Sequence, residues 1–183
     1  IKLLSLSKVE NYVWSYVVKR KILLDHKIYF PKGRKFEDVA TTYKIFDNVR
    51  NAIKLNIPVY FYRIRQGSIV NTNSLENASD LLISTREMND YFFKNRKDEK
   101  ILNGLLLKHF TLAYLLLRES KNNTSRKEFS KLEKEIKKEI KNLNLKTFPM
   151  VKQISRMMIL CDLYIPATKF YSFSRRFIFG KKR

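Results

Sequence analysis

The chain has 183 residues, 44% of them hydrophobic, enough for one packed domain or one domain with a helical extension, and this excludes a disordered polymer. Lysines and arginines number 38 against 17 acids, a formal charge of +21, so polyanions are the expected partners: nucleic acid, an anionic membrane surface or phosphorylated substrates. One cysteine, Cys161, and two histidines, His26 and His109, exclude a disulfide framework and a Cys/His zinc site, and fit a reducing compartment. The chain begins at Ile1 rather than methionine, and no apolar run reads as a signal peptide or a membrane span, so an excised or truncated piece of a longer protein is expected.

Residues 12–18 are aromatic or β-branched except Ser15 and predict a short strand, followed by a brief helix over 19–26. A second reading stays open, because Ser7 and Glu10 form a capping-box pattern that suits a continuous helix from Lys8. Phe30-Pro31-Lys32-Gly33 predicts a turn, since proline fixes φ and glycine permits a positive one. Over 37–47, Val39, Ala40, Tyr43 and Phe46 recur at helical spacing, which puts Glu37 and Asp38 in the first turn of a helix. Residues 57–64 predict another strand, left through Gln66-Gly67-Ser68.

From there the pattern is helical, over 75–93, 99–119, 125–143 and 148–164. The third of these is rich in lysine and glutamate and carries Phe129, Leu132, Ile136, Ile140 and Leu143 as its apolar stripe. Asn122-Asn123-Thr124-Ser125 is the clearest break, and it supplies an N-cap to the helix that follows. The expected fold class is α+β, mainly helical with a few short strands, divided into residues 1–73 and a helical extension over 74–183 with a basic, aromatic tail.

Chemistry is thinly represented. No Asp-x-Asp occurs, and Gly33, Gly67, Gly104 and Gly180 are too scattered for a phosphate-cradling loop, so a nucleotide site cannot be built from these residues alone. Nor is there a cysteine, histidine and acid cluster for metal hydrolysis or a nucleophilic triad.

Three segments in order are more specific: Val13-Trp14-Ser15-Tyr16 with Lys19-Arg20-Lys21-Ile22-Leu23-Leu24; Ile28-Tyr29-Phe30-Pro31-Lys32-Gly33 closing on Phe36-Glu37-Asp38-Val39; and Val59-Tyr60-Phe61-Tyr62-Arg63-Ile64-Arg65-Gln66-Gly67-Ser68-Ile69. Together they resemble the acceptor side of the bacterial family 2 glycosyltransferases, closely over residues 11–71 and loosely over the helices behind them. The resemblance implies the C-terminal part of an α/β, Rossmann-like GT-A domain. It further implies an inverting hexosyltransferase that moves a sugar from a nucleotide-sugar donor to a glycan or lipid-linked saccharide in capsule, lipopolysaccharide or other cell-surface polysaccharide synthesis. In that family an upstream half binds the donor and holds a divalent metal, Mg or Mn, through Asp-x-Asp. No cofactor is therefore expected in this fragment, which is expected to be inactive alone. Many members carry Asn-Lys after the tryptophan where this chain has Ser15-Tyr16. Others share Trp-Ser-Tyr.

For the catalytic position the resemblance implies Asp38 as general base, with Glu37 beside it; the competing reading is an acidic pair that only improves a helix N-terminus. A helix dipole would hold such a base charged while lowering its basicity. Arg63 and Arg65 lie two apart on the expected strand, so both would face one way and could grip a diphosphate or anionic sugar, with Gly67 and Ser68 offering a backbone N–H and a hydroxyl. The bland alternative is a solvated or salt-bridged pair. Trp14, the sole tryptophan, is either a plate for a sugar ring or a core residue. Residues 147–183 carry eight lysines and arginines, one acid (Asp162) and many aromatics, which suits the cytoplasmic face of a cell membrane as well as a solvated basic tail. A basic nucleic-acid-binding domain is the rival class, disfavoured because no RNA- or DNA-binding signature is present and the cations are spread through every element. A non-catalytic remnant is the third.

Overall fold

The computed structural model describes residues 11–55, 57–58, 60–61, 63, 74–94, 99–121, 124–146, 148–166 and 168. Six α-helices follow one another among them: α1 (Arg20–Asp25), α2 (Thr42–Asp47), α3 (Leu75–Lys94), α4 (Glu99–Glu119), α5 (Arg126–Asn142) and α6 (Met150–Leu160). The four later helices fall where apolar periodicity puts them, and Ser125 caps α5 as expected. Its Oγ accepts the Glu128 N–H at 3.3 Å and donates to the Glu128 carboxylate at 2.6 Å, a capping box.

Helix α4 is the axis of the core. It packs most extensively on α3 and next on α5, and α6 lies against α5. Leu106, Phe110, Ala113, Tyr114 and Leu117 of α4 meet Leu81, Leu82, Met88 and Phe92 of α3 and Ile136 and Ile140 of α5, all buried. By length and composition α4 could cross a membrane, contrary to the expectation from sequence that no run is long enough; 61% of that window is buried in the bundle, where its apolar surface is used. Arg86 on α3 reaches Glu135 (3.0 Å) and Glu139 (2.7 Å), one turn apart on α5, and fixes the register of those helices.

The fold class departs from expectation: the described residues are helical and contain no strand and no sheet, so neither an α+β fold nor a Rossmann-like GT-A part is seen. Residues 12–18 form a single 3-10 turn, Val13–Ser15, and then run extended, which also removes the continuous helix from this stretch. Ser7 and Glu10 lie outside the described residues. In the 57–64 segment, the described residues take no regular structure, with Ile57, Tyr60 and Phe61 exposed. The physical reason is that β-propensity records fit to a neighbouring strand; without a partner edge the same residues form no ladder.

Two helix ends use non-glycine residues in the left-handed region. After α1, Lys27 has φ +50, and Lys27 and Ile28 N–H groups bond back to Leu24 (3.2 Å) and Leu23 (2.9 Å) carbonyls. Asp162 closes α6 likewise at φ +60, with Leu163 N–H on the Met158 carbonyl at 2.7 Å. Gly33 stands at φ +69 in the expected turn.

Candidate functional site

The stretch 37–47 is not one helix. Phe36 takes φ +57, residues 37–40 form a separate turn, and α2 begins only at Thr42. Burial explains the anchoring of this piece: Val39, Ala40, Thr41, Thr42, Tyr43 and Ile45 are all buried, with Val39 and Tyr43 in the same cluster as α3 to α6. The preceding loop is tied to α3 by a bidentate Arg34–Glu87 pair (2.7 and 2.8 Å) and by the Lys35 N–H on Asp80 Oδ2 (2.9 Å). Asp38 thus stands on a braced turn, its carbonyl accepting the N–H groups of Thr41 (3.1 Å) and Thr42 (2.8 Å).

The Asp38 carboxylate is half-buried, and its Oδ1 accepts the Val39 N–H at 2.7 Å. Burial pushes its pKa above the ordinary carboxylate value and outweighs that hydrogen bond; the charge of exposed Glu37 pushes the same way. This corrects the expectation of a basicity lowered by a helix N-terminus. Asp38 lies ahead of α2, and desolvation decides its proton affinity. It is consequently a stronger base than a solvated aspartate.

Trp14 is neither an isolated plate nor a core residue. It is 41% exposed and stacks on both Tyr12 and Tyr60, with ring centroids 5.1 Å apart in each pair and interplanar angles of 8° and 17°. The stack joins the 12–16 segment to the 57–63 segment. Tyr16 joins the same segment to the Asp38 turn, because its hydroxyl is 3.0 Å from Thr42 Oγ1, which in turn donates to the Asn11 carbonyl at 2.9 Å. Burial raises the Tyr16 pKa first, and the Asp38 charge raises it further, so the two groups are in electrostatic reach of each other.

Behind them Asn11 Nδ2 sits 3.0 Å from Nε2 of His109, which is buried on α4. Burial, helped by Lys108, depresses the His109 pKa to about 4, so the ring is neutral and accepts from Asn11. Asn11, Tyr16, Thr42 and His109 position the candidate site, and reasoning from sequence missed all four. Tyr16 was visible only as part of Trp14-Ser15-Tyr16; the other three meet across long sequence separations and leave no local signal.

Arg63 is exposed. Arg65, Gly67 and Ser68 lie outside the described residues, and with them the expected pairing of the arginines on one face. Among the described residues no group of three His, Cys, Asp or Glu side chains could hold a metal ion. A depression of about 380 Å³ lined in part by Ser74, Glu76, Ser120 and Glu128 lies elsewhere, without any of the candidate residues. No family model, curated protein or solved structure matches this chain.

Proposed function

We propose that this chain is the acceptor-side part of an inverting glycosyltransferase, similar to family 2, acting on a saccharide or lipid-linked saccharide at the cytoplasmic face of a membrane. The acceptor lies along the Tyr12, Trp14 and Tyr60 rings, whose apolar surfaces suit the C–H faces of a sugar. Asp38 takes the proton of the attacking hydroxyl as the new oxygen–carbon bond forms at the anomeric centre and the bond to the nucleoside diphosphate breaks on the opposite face. Glu37 sustains the basicity of Asp38 through its charge. Donor binding, with any metal it requires, belongs to another part of the enzyme, so the chain alone does not turn over.

The single observation that carries this reading is proximity: Trp14 of the first segment stacks on Tyr60 of the third, and Tyr16 of the first meets Thr42, which follows the second segment and its Asp38. A second support is the exposed apolar surface leading into the last segment, where Ile53, Leu55 and Ile57 ahead of it and Phe61 within it face solvent as a surface made to be covered would.

Two experiments test it. Trp14 is the sole tryptophan, so its fluorescence reports on the stack directly; titration with oligosaccharide acceptors should change it saturably, and Tyr60→Ala should abolish the response. In an enzyme completed with a nucleotide-sugar-binding half, Asp38→Asn should lower kcat about 10²- to 10⁴-fold with acceptor binding retained. Turnover within a few-fold of wild type would remove Asp38 from the role of base.

A further inference from the structure

Helix α6 is apolar on two sides. Ile159 and Leu160 turn inward to the core cluster with Phe148, which precedes the helix. The other side is open: Met150 is 74% exposed, Val151 73%, Ile154 48% and Met157 60%. Spaced at i, i+1, i+4 and i+7, at roughly 100° per residue, these four share one arc of about 120° and run about 10 Å along the axis. Cys161, exposed, continues the arc one turn beyond Met157, and Leu163 is exposed just after it.

We propose that this outward arc of α6 docks on an anionic lipid bilayer. A helix with an apolar arc on its outer side as well as its core side has a second apolar surface to cover, and the charge pattern selects what covers it. Residues 147–183 carry eight lysines and arginines against the single acid Asp162. That acid is already engaged, with Lys137 Nζ at 2.7 Å and the Tyr114 hydroxyl at 3.0 Å, both on the bundle side. In sequence, therefore, the segment that carries the arc and continues beyond it has a large excess of positive charge. A second copy of this chain would bring another +21 toward the same face and be repelled. Nucleic acid would use the cations but has no use for four adjacent aliphatic side chains, since bases stack on aromatic rings. An acidic membrane answers both halves of the surface, because headgroups attract the cations while Met150, Val151, Ile154 and Met157 enter the acyl boundary. The inference does not depend on sugar transfer.

The test uses the whole chain and vesicles of phosphatidylcholine with and without phosphatidylglycerol. Wild type should sediment with the mixed vesicles and partition at least tenfold more weakly into phosphatidylcholine alone. The double variant Ile154→Glu/Met157→Glu alters only exposed positions and should keep the wild-type melting curve, yet lose about tenfold or more in binding to mixed vesicles. An environment-sensitive dye on Cys161, the sole cysteine, should brighten and shift blue on mixed vesicles. No binding to mixed vesicles overturns the proposal. So does undiminished binding of the double variant, which would assign the attraction to the basic tail. A wild-type dimer that the same two substitutions dissociate would give the face to a second copy instead.

Discussion

Acidification tests the packing around the candidate site through one residue. His109 is buried and neutral, its pKa falling from 6.5 to about 4 because burial penalises the imidazolium and Lys108 adds repulsion, partly offset by the Leu105 carbonyl. Above pH 6.5 neither the folded nor the unfolded chain protonates this ring appreciably, and its contribution is constant. Between 6.5 and about 4 the unfolded chain binds a proton that the folded one refuses, so stability is lost as pH falls. Below about 4 both states are protonated and the loss stops growing. At about 1.4 kcal/mol per pKa unit the full loss is about 3 kcal/mol, a large share of a typical domain's 5–15 kcal/mol. Other groups titrate nearby: Glu87 and Asp162 have lowered pKa values and also cost stability in acid, whereas Asp38, raised, acts in the opposite sense. The difference between wild type and His109→Gln isolates the ring, because glutamine can still accept from Asn11 and does not titrate. Urea unfolding followed by circular dichroism at several pH values from 7 to 4 should show the wild type losing about 3 kcal/mol more than the variant. Parallel curves, differing by less than about 1 kcal/mol, would refute the assignment of a buried neutral histidine.

The remaining predictions concern the backbone, packing and catalysis. Lys27 holds φ +50 at the end of α1, so Lys27→Gly should raise stability by about 1 kcal/mol in thermal unfolding, with the α1 end unchanged. At Gly104 on α4 an added Cβ would lie 3.0 Å from Phe148 Cε1, and a longer side chain would collide with that ring. Gly104→Leu should therefore destabilise by about 1–3 kcal/mol, read in urea unfolding, and displace Phe148 from its seat at the start of α6. In the completed enzyme, the raised pKa of Asp38 should place the acidic limb of kcat/KM above the usual carboxylate range, and a limb at or below that range would contradict the burial described for it.

The helices of the second half were legible because each must bury one apolar stripe, and that stripe repeats locally: Phe129, Leu132, Ile136 and Ile140 identify α5 without reference to anything else in the chain. The strands over 12–18 and 57–64 were misread for the converse reason, since Val17, Tyr60 and Phe61 have strand-forming side chains but no neighbouring edge to bond. The late start of α2 follows from contacts the sequence does not display: Phe36 at positive φ and the Asp38 carbonyl taking two N–H groups close a turn before the helix begins. Of the candidate site, Trp14 and Asp38 were recognisable as residue types, through a resemblance. The proton affinity of Asp38 was not, because desolvation depends on what folds over the carboxylate. The Asn11–His109 contact spans 98 residues and has no signature at either end.

That contact has a dynamic consequence. No side chain from residue 11 to residue 27 is fully buried, and among the described residues Ile28 is the first that is. The aromatic segment is thus moored by Asn11, Tyr16 and ring stacking, while the bundle is held by its own interior. Amide exchange should separate the molecule into two populations, fast over 11–27 and slow through α3, α4 and α5, and a saccharide that occupies the rings should slow the first while leaving the second untouched.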